Sequence, residues 1–250
     1  MSELSAVYIV CLRELIRYTR AKERIIGSLV FPVFIFVGLG FGLRTSVAVG
    51  SGSFGYSQFV APGVIAMSLL FMSTMSGVGV LWDKEFGFMK EMLVAPISRL
   101  SIVAGKTIGS SITALLQGLI IIVLSFVFSN GISLDKLVLL VPTMLLISLG
   151  FVGLGILIAS RLKTMEGFQP IMNFIVMPTF FLSGALFPIN NLPFPMRILS
   201  FLDPLTYGVE LLRSIMLGQS SIPPLVCLPV LLAFSASTLF LGAQSFSKMD

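Results

Sequence analysis

Residues 190–218 read NNLPFPMRILSFLDPLTYGVELLRSIMLG. Long apolar runs flank this stretch, yet it holds three prolines (Pro193, Pro195, Pro204) and four charges (Arg197, Asp203, Glu210, Arg213). Asp203-Pro204 is a helix start, with Asp as N-cap and Pro at N1. From there Leu205, Val209, Leu212 and Met216 form an apolar stripe. Thr206, Tyr207, Glu210, Arg213 and Ser214 form the opposite face, and Glu210 and Arg213 make an i, i+3 pair. Before it, Asn190, Asn191 and Pro193 introduce a shorter helix over Pro195–Leu202. Helices of about 8 and 14 residues, rising ~1.5 Å per residue, cannot each cross roughly 30 Å of hydrocarbon. They can dip into one leaflet and return if their backbone is buried in protein or lines a cavity. A polar face on the second helix then points at protein or water.

Composition says that the rest of the chain lives in a membrane. Of its 250 residues, 56% are hydrophobic and 11% charged, and the mean hydropathy is +1.04. A soluble domain carries roughly 25% charged residues, so a soluble globule is excluded. Six stretches reach the ~20 apolar residues that a spanning helix needs: 25–43, 58–81, 107–128, 137–160, 168–187 and 225–243. The first 24 residues are charged and lack the apolar core of a cleavable signal peptide. The expected fold is an all-α, single-domain bundle of six transmembrane helices, with an N-terminal interfacial helix and re-entrant external helices between spans 5 and 6.

The charges then orient it. Twelve of the 16 basic residues fall on one side of a six-span topology: Arg13, Arg17, Arg20, Lys22, Arg24, Lys84, Lys90, Arg99, Lys106, Arg161, Lys163 and Lys248. Arg44, Lys136, Arg197 and Arg213 fall on the other. The positive-inside rule makes the first side cytoplasmic, with both termini there. The net charge of +5 is thereby explained without nucleic acid. The protein is expected to be multi-pass in the cell (inner or cytoplasmic) membrane, among membrane lipid.

Histidine is absent, which removes the usual general base and the commonest metal ligand. Cys11 and Cys227 stand too far apart in sequence to form a CxxC metal pair. No catalytic residue and no metal site is expected. Gln117, Gln169 and Asn173 are the notable polar residues within the spans, and no carboxylate sits at mid-span. Ion-coupled carriers commonly carry such carboxylates as relays. Pro32, Pro142, Pro178 and Pro229 lie inside the apolar runs, and each needs a neighbour to satisfy the carbonyl it frees. Gly38–Gly42 and Gly105–Gly109 have the spacing that lets helices approach closely.

Two cytoplasmic segments are more than connectors. In residues 1–24, Leu4, Tyr8, Cys11, Leu12, Leu15 and Thr19 recur at helical spacing opposite Arg13, Arg17, Arg20 and Arg24. This is an amphipathic helix lying on the inner leaflet, its arginine row near anionic headgroups. Residues 82–106 read WDKEFGFMKEMLVAPISRLSIVAGK. Phe86, Met89 and Leu93 form an apolar stripe, Pro96 stops that helix, and Ser98 is placed to cap the next. Such a pattern suits docking to a cytoplasmic partner. Gly105-Lys106-Thr107 resembles the end of a phosphate loop, but Leu100 stands where its earlier glycine belongs. The chain is therefore not expected to hydrolyse ATP itself.

With those residues in hand, the chain resembles a known family. Phe181–Leu217 and Lys84–Lys106 are similar to the membrane subunits of ABC-2 type exporters, most like the daunorubicin-resistance and nodulation-factor export permeases. The resemblance implies a permease that works as a dimer, with a second copy or a sister permease, on two copies of a separate ABC ATPase subunit. No cofactor is implied in this chain; ATP and magnesium belong to that partner. It implies coupling to the ATPase through Asp83, Glu85, Phe86, Met89, Glu91, Pro96 and Arg99. The N-terminal helix, with Arg13, Arg17, Arg20 and Arg24, would touch the same partner. The re-entrant helices would carry Arg197, Asp203, Pro204, Tyr207, Glu210 and Arg213 near the exit. Met172, Phe174, Met177, Phe180 and Phe181 are candidates for an apolar lining that suits an amphiphilic or lipid-like cargo such as a drug, lipid or lipid-linked glycan. An ion-driven carrier and a non-transporting anchoring or assembly subunit are the rival readings.

Overall fold

The structure, a computed structural model, describes residues 3–42, 55–88, 97–129, 134–162 and 164–248. Among these every regular element is helical. The α-helices are α1 (Glu3–Arg20), α2 (Lys22–Gly42), α3 (Tyr56–Thr74), α4 (Ser76–Glu85) and α5 (Arg99–Ser129). They continue with α6 (Leu137–Arg161), α7 (Met165–Leu182), α8 (Phe194–Leu202), α9 (Pro204–Leu217) and α10 (Pro224–Ser247).

Four stretches are long and apolar enough to cross a membrane: α3 with α4, α5, α6 and α10. A fifth follows if α1 and α2, which meet at 71°, count as one broken span. Helix length alone thus gives four or five crossings where the apolar runs suggested six. The shortfall lies in α2 and α7, the helices at the bundle's flank. α7 has 18 residues, about 27 Å of rise. The apolar run at 168–187 outlasts it, because the helix ends at Leu182 and Gly184 takes a left-handed φ of 73°. Similarly, the connection expected over 82–106 is shortened at both ends. α4 runs to Glu85 and α5 begins at Arg99, capped by the Ser98 hydroxyl, which accepts from the Ser101 N–H at 3.1 Å. Met89, Glu91 and Pro96 lie outside the described residues.

α3 stands at the centre, with α2, α5, α6, α7 and α9 around it. The helices close on one another through glycine, as expected where burial of apolar surface gives no preference for helix over lipid. A methyl group at Gly63 would overlap the backbone of Ala185, and one at Gly77 the carbonyl of Gly155. A Cβ on Gly155 would stand 2.6 Å from the Thr74 carbonyl. α10 packs chiefly on α6. There the Thr238 hydroxyl donates to Gly150 O at 2.9 Å and the Ser235 hydroxyl to Leu146 O at 3.0 Å. α1 packs on α5 across Gly105 and Gly109, whose missing side chains make room for Val10 and Glu14. Gly38 and Gly42, the other pair with that spacing, face open space.

Pro32 shows how the bundle repairs its own helices. A proline cannot donate to the carbonyl four residues back, here that of Ser28. The Gln117 side-chain amide, on α5, donates to that carbonyl at 3.0 Å. The polar residue in span 3 and the proline in span 1 are thus one feature.

The helix ends sort the polar groups. At one end Lys84 Nζ donates to Leu162 O at 3.3 Å and the Arg99 guanidinium to Ser247 O. At the other, the Tyr56 hydroxyl donates to Leu186 O at 3.0 Å and Lys136 Nζ to Met216 O at 2.9 Å.

Two outcomes are expected in detergent. Gly63→Val and Gly155→Val should each cost about 1–3 kcal/mol or more by overpacking, seen as a lower thermal unfolding midpoint, whereas Gly38→Ala leaves it in place. An equal drop for all three would contradict the packing described. Gln117→Leu should cost about 1–3 kcal/mol by orphaning a buried carbonyl. The same change made on a Pro32→Ala background should cost far less, because the helix then satisfies Ser28 itself.

Candidate functional site

Three places gather the chain's chemistry. The first is the end where α1, α4 and α5 meet. Asp83 closes α4 and is 2% exposed. Its carboxylate accepts from Arg13 Nη2 at 2.8 Å and from Lys106 Nζ. Lys106 also lies 3.6 Å from the Glu14 carboxylate. Lys106 is only 3% exposed, so an unpaired ammonium here would be costly. Four charges from three helices therefore neutralise one another. Farther along α1, the Glu3 carboxylate accepts from the hydroxyls of Ser101 and Ser98, the latter at 2.7 Å. Those two hydroxyls hold Glu3 below the usual carboxylate range.

Around this cluster an aromatic edge faces outward. The Arg17 guanidinium lies 5.7 Å from the Trp82 ring centre and that of Arg13 5.8 Å from Phe88. Trp82 and Phe86 stand one helical turn apart with rings 5.3 Å apart. Trp82, Phe86 and Phe88 are all exposed. Glu85 and Arg99 are exposed as well. The arginine row of α1 divides: Arg13 and Arg17 turn to the protein, whereas Arg20 faces outward. The Arg24 side chain is outside the described residues. Opposite the face on α5, Leu4, Tyr8, Leu12 and Ile16 form an exposed apolar stripe along α1.

The second place is the other end of the bundle. Asp203 caps α9, its carboxylate accepting from the Leu205 N–H at 3.0 Å, with Pro204 at N1. Leu205, Val209, Leu212 and Met216 are buried, as their stripe suggested. On the opposite face Thr206, Glu210 and Arg213 are buried too, against protein, whereas Tyr207 and Ser214 are half-buried. Glu210 is fully buried and pairs with Arg213. Glu210 Oε2 accepts from the backbone N–H groups of Ser221 and Ile222. Arg213 Nη2 donates to Gly184 O at 2.8 Å, and its guanidinium lies 4.1 Å from the Phe59 ring centre. These contacts pin the non-helical turn after α7 onto the top of α3. The Tyr207 hydroxyl donates to Phe201 O at 2.7 Å, and Arg197 to Asn190 O.

The third place is a cavity of about 870 Å³ bounded by α1, α2, α3, α4 and α7. Arg17 and Trp82 stand at one end, Gln169 and Asn173 along α7, and Phe31 and Met75 deeper in. The five proposed lining residues separate here. Met177 lines the cavity; Met172 and Phe180 are buried in the core; Phe174 and Phe181 face outward. The Asp83 cluster and the cavity were not read from the sequence. The available signal was charge bookkeeping at span ends: Asp83 and Lys106 flank adjacent apolar runs on one side and need partners. Lys106, in the phosphate-loop look-alike, lies inside α5 with its ammonium already engaged.

The family model for ABC-2 type transporters matches residues 5–217. The chain belongs to the ABC-2 type transporter family. The match takes in α1, the Asp83 cluster and α9 alike. Nodulation protein J of Rhizobium leguminosarum bv. viciae is 29% identical over 80% of this chain and 77% of its own length. A putative transport permease, ycf38, of Cyanophora paradoxa is 31% identical over 63% of this chain and 55% of its own. The probable multidrug ABC transporter permease YbhR of Escherichia coli K12 is 28% identical over 67% of this chain and 46% of its own. An ABC-2 chain with these apolar helices is a multi-pass membrane protein, and its family works with an ABC ATPase.

The charge cluster makes a stability prediction. Asp83→Ala leaves the buried Lys106 only the more distant Glu14 carboxylate and should cost about 3–5 kcal/mol. Asp83→Leu with Lys106→Met removes both charges and should cost distinctly less. Arg13→Ala, whose side chain is 39% exposed, should cost under about 1 kcal/mol. Unfolding midpoints in detergent check the order; a double variant worse than Asp83→Ala would contradict it.

Proposed function

We propose that this chain is the membrane-spanning permease subunit of an ATP-driven exporter, powered by a separate ABC ATPase bound in two copies. The observation that carries the reading is the family match over residues 5–217 together with the joining of α1, α4 and α5 at one end of the bundle. That end is the cytoplasmic one in this reading, because it gathers most of the basic residues. Both termini are then cytoplasmic and the membrane is the cell membrane. α2 and α7 complete a six-span bundle, and α8 and α9 form the re-entrant external pair.

Function follows from stiffness. The exposed aromatic edge at Trp82, Phe86 and Phe88 and the outward side of α1 give an ATPase two adjacent holds. Residues Glu85, Met89, Glu91, Pro96 and Arg99 belong to the same docking segment. Movement of that partner is passed through the buried Asp83 cluster into α5, and through α4 into α3. A second permease copy or a sister permease meets the exposed outward side of α2 and α7. Cargo, an amphiphile such as a drug, lipid or lipid-linked glycan, passes between them and leaves beneath α8 and α9. ATP and magnesium stay on the partner; this chain supplies the path.

Mild-detergent purification of the tagged chain from its native membrane should bring down an ATPase. Phe86→Ala with Glu91→Ala should reduce that ATPase at least tenfold while the permease keeps its unfolding midpoint. Glu91→Ala and Arg99→Ala should each uncouple ATP hydrolysis from export. Normal transport in both would overturn the coupling role, and an ATPase-free permease would overturn the reading as a whole.

A further inference from the structure

Arg17 is the only charged residue among the described residues that line the 870 Å³ cavity. It makes no ion pair among the described residues; its guanidinium rests on the Trp82 ring. On the same helix Arg13 and Glu14 are already committed to Asp83 and Lys106. A guanidinium that lies beside an aromatic ring and makes no ion pair among the described residues still has its fork of N–H donors, which matches the oxygens of a phosphate or carboxylate. Two carboxamides come next along α7. Gln169 and Asn173 lie one turn apart and are joined by a 3.3 Å hydrogen bond. Their remaining amide donors and acceptors face a cavity they both line. Beyond them the lining is Phe31, Phe71, Met75 and Met177. From Trp82 to Phe71 the α4–α3 rod rises about 16 Å. The cavity is thus graded along its length: one cation, then neutral polar groups, then apolar surface.

The geometry points to a seat for an amphiphile with an anionic headgroup. The anion sits against Arg17 on Trp82, a hydroxyl or amide neck meets Gln169 and Asn173, and the tail lies against Phe31, Met75 and Met177. Charge complementarity selects this occupant over a neutral or cationic one, because among the described residues no carboxylate lines the cavity to balance Arg17. That the seat holds cargo rests on the exporter reading; that it binds such a molecule does not. The same chemistry is available from a bilayer phospholipid and from a transported amphiphile.

The chain has one tryptophan, and Trp82 lines this seat, so binding reports itself. The purified permease, without ATPase, is placed in nanodiscs of zwitterionic lipid and titrated with dodecyl phosphate, dodecyl phosphocholine and dodecanol while Trp emission is followed. Dodecyl phosphate should bind saturably and at least tenfold more tightly than the other two. Arg17→Gln should abolish that preference without shifting the unfolding midpoint, and Arg17→Lys should restore part of it. Asn173→Leu, which leaves the cation in place, should weaken all three probes. Equal affinity for the three probes in the native protein, or an undiminished preference in Arg17→Gln, overturns the proposal. Repeating the titration with phosphatidylglycerol in the disc separates the sources. Competition assigns the seat to a bilayer lipid, and undisturbed binding assigns it to a molecule drawn from elsewhere. Neither result touches the ATPase co-purification that tests the exporter reading.

Discussion

The central helix can be central only because backbones come to it. Lipid tails are as apolar as leucine, so membrane helices gain little from merely hiding side chains from lipid. What holds them is close contact, and close contact needs missing side chains. Gly63 admits the Ala185 backbone, and Gly77 and Gly155 let the α3–α4 rod lie on α6. Around those approaches α3 becomes almost wholly buried. The rest is hung on it: α6 carries α10, and the turn after α7 carries α9 through Arg213 and Gly184.

Polar groups then fix what packing leaves free. Dispersion forces hold helices together but set register weakly, whereas a buried charge or an orphan carbonyl accepts few positions. Gln117 meets Ser28 because Pro32 has emptied that carbonyl. Asp83 meets both Arg13 and Lys106, so α1, α4 and α5 share one register. By contrast α7 touches the bundle lightly and α2 holds to it mainly through α3, and the large cavity lies between α2, α3 and α7. The buried charges thus tie one flank of the bundle, and the cavity occupies the other.

Much of this was legible in the sequence, and the reasons differ by element. Asp203-Pro204 announced α9 because capping is local: the N-cap and N1 residues act within one turn. The apolar runs located the helices but overran α7, since hydropathy is blind to the backbone turn that Gly184 makes. The run at 168–187 stays apolar after the helix ends because Ala185 and Leu186 are buried in the fold instead. The Asp83 cluster was invisible because its members are spread along the chain from Arg13 to Lys106 and only the packing of α1 on α5 joins them. The cavity was invisible for the opposite reason: a space has no residue of its own. Apolar, Met- and Phe-rich composition pointed to Phe174 and Phe181 as readily as to Met177, and of these the third lines it.

One consequence concerns the order in which the chain is made. Arg13 and Glu14 leave the ribosome about seventy residues before Asp83, and Lys106 follows 23 residues later. The glycine bed that α1 lies on, Gly105 and Gly109, is made together with Lys106. For that interval the N-terminal helix has neither its charge partners nor its groove. Its exposed stripe of Leu4, Tyr8, Leu12 and Ile16 gives it somewhere to wait, at the membrane surface. The helix is thus a nascent-chain mooring before it becomes part of a bundle. Docking on α5 becomes possible only once Asp83, Lys106 and the two glycines have all been made.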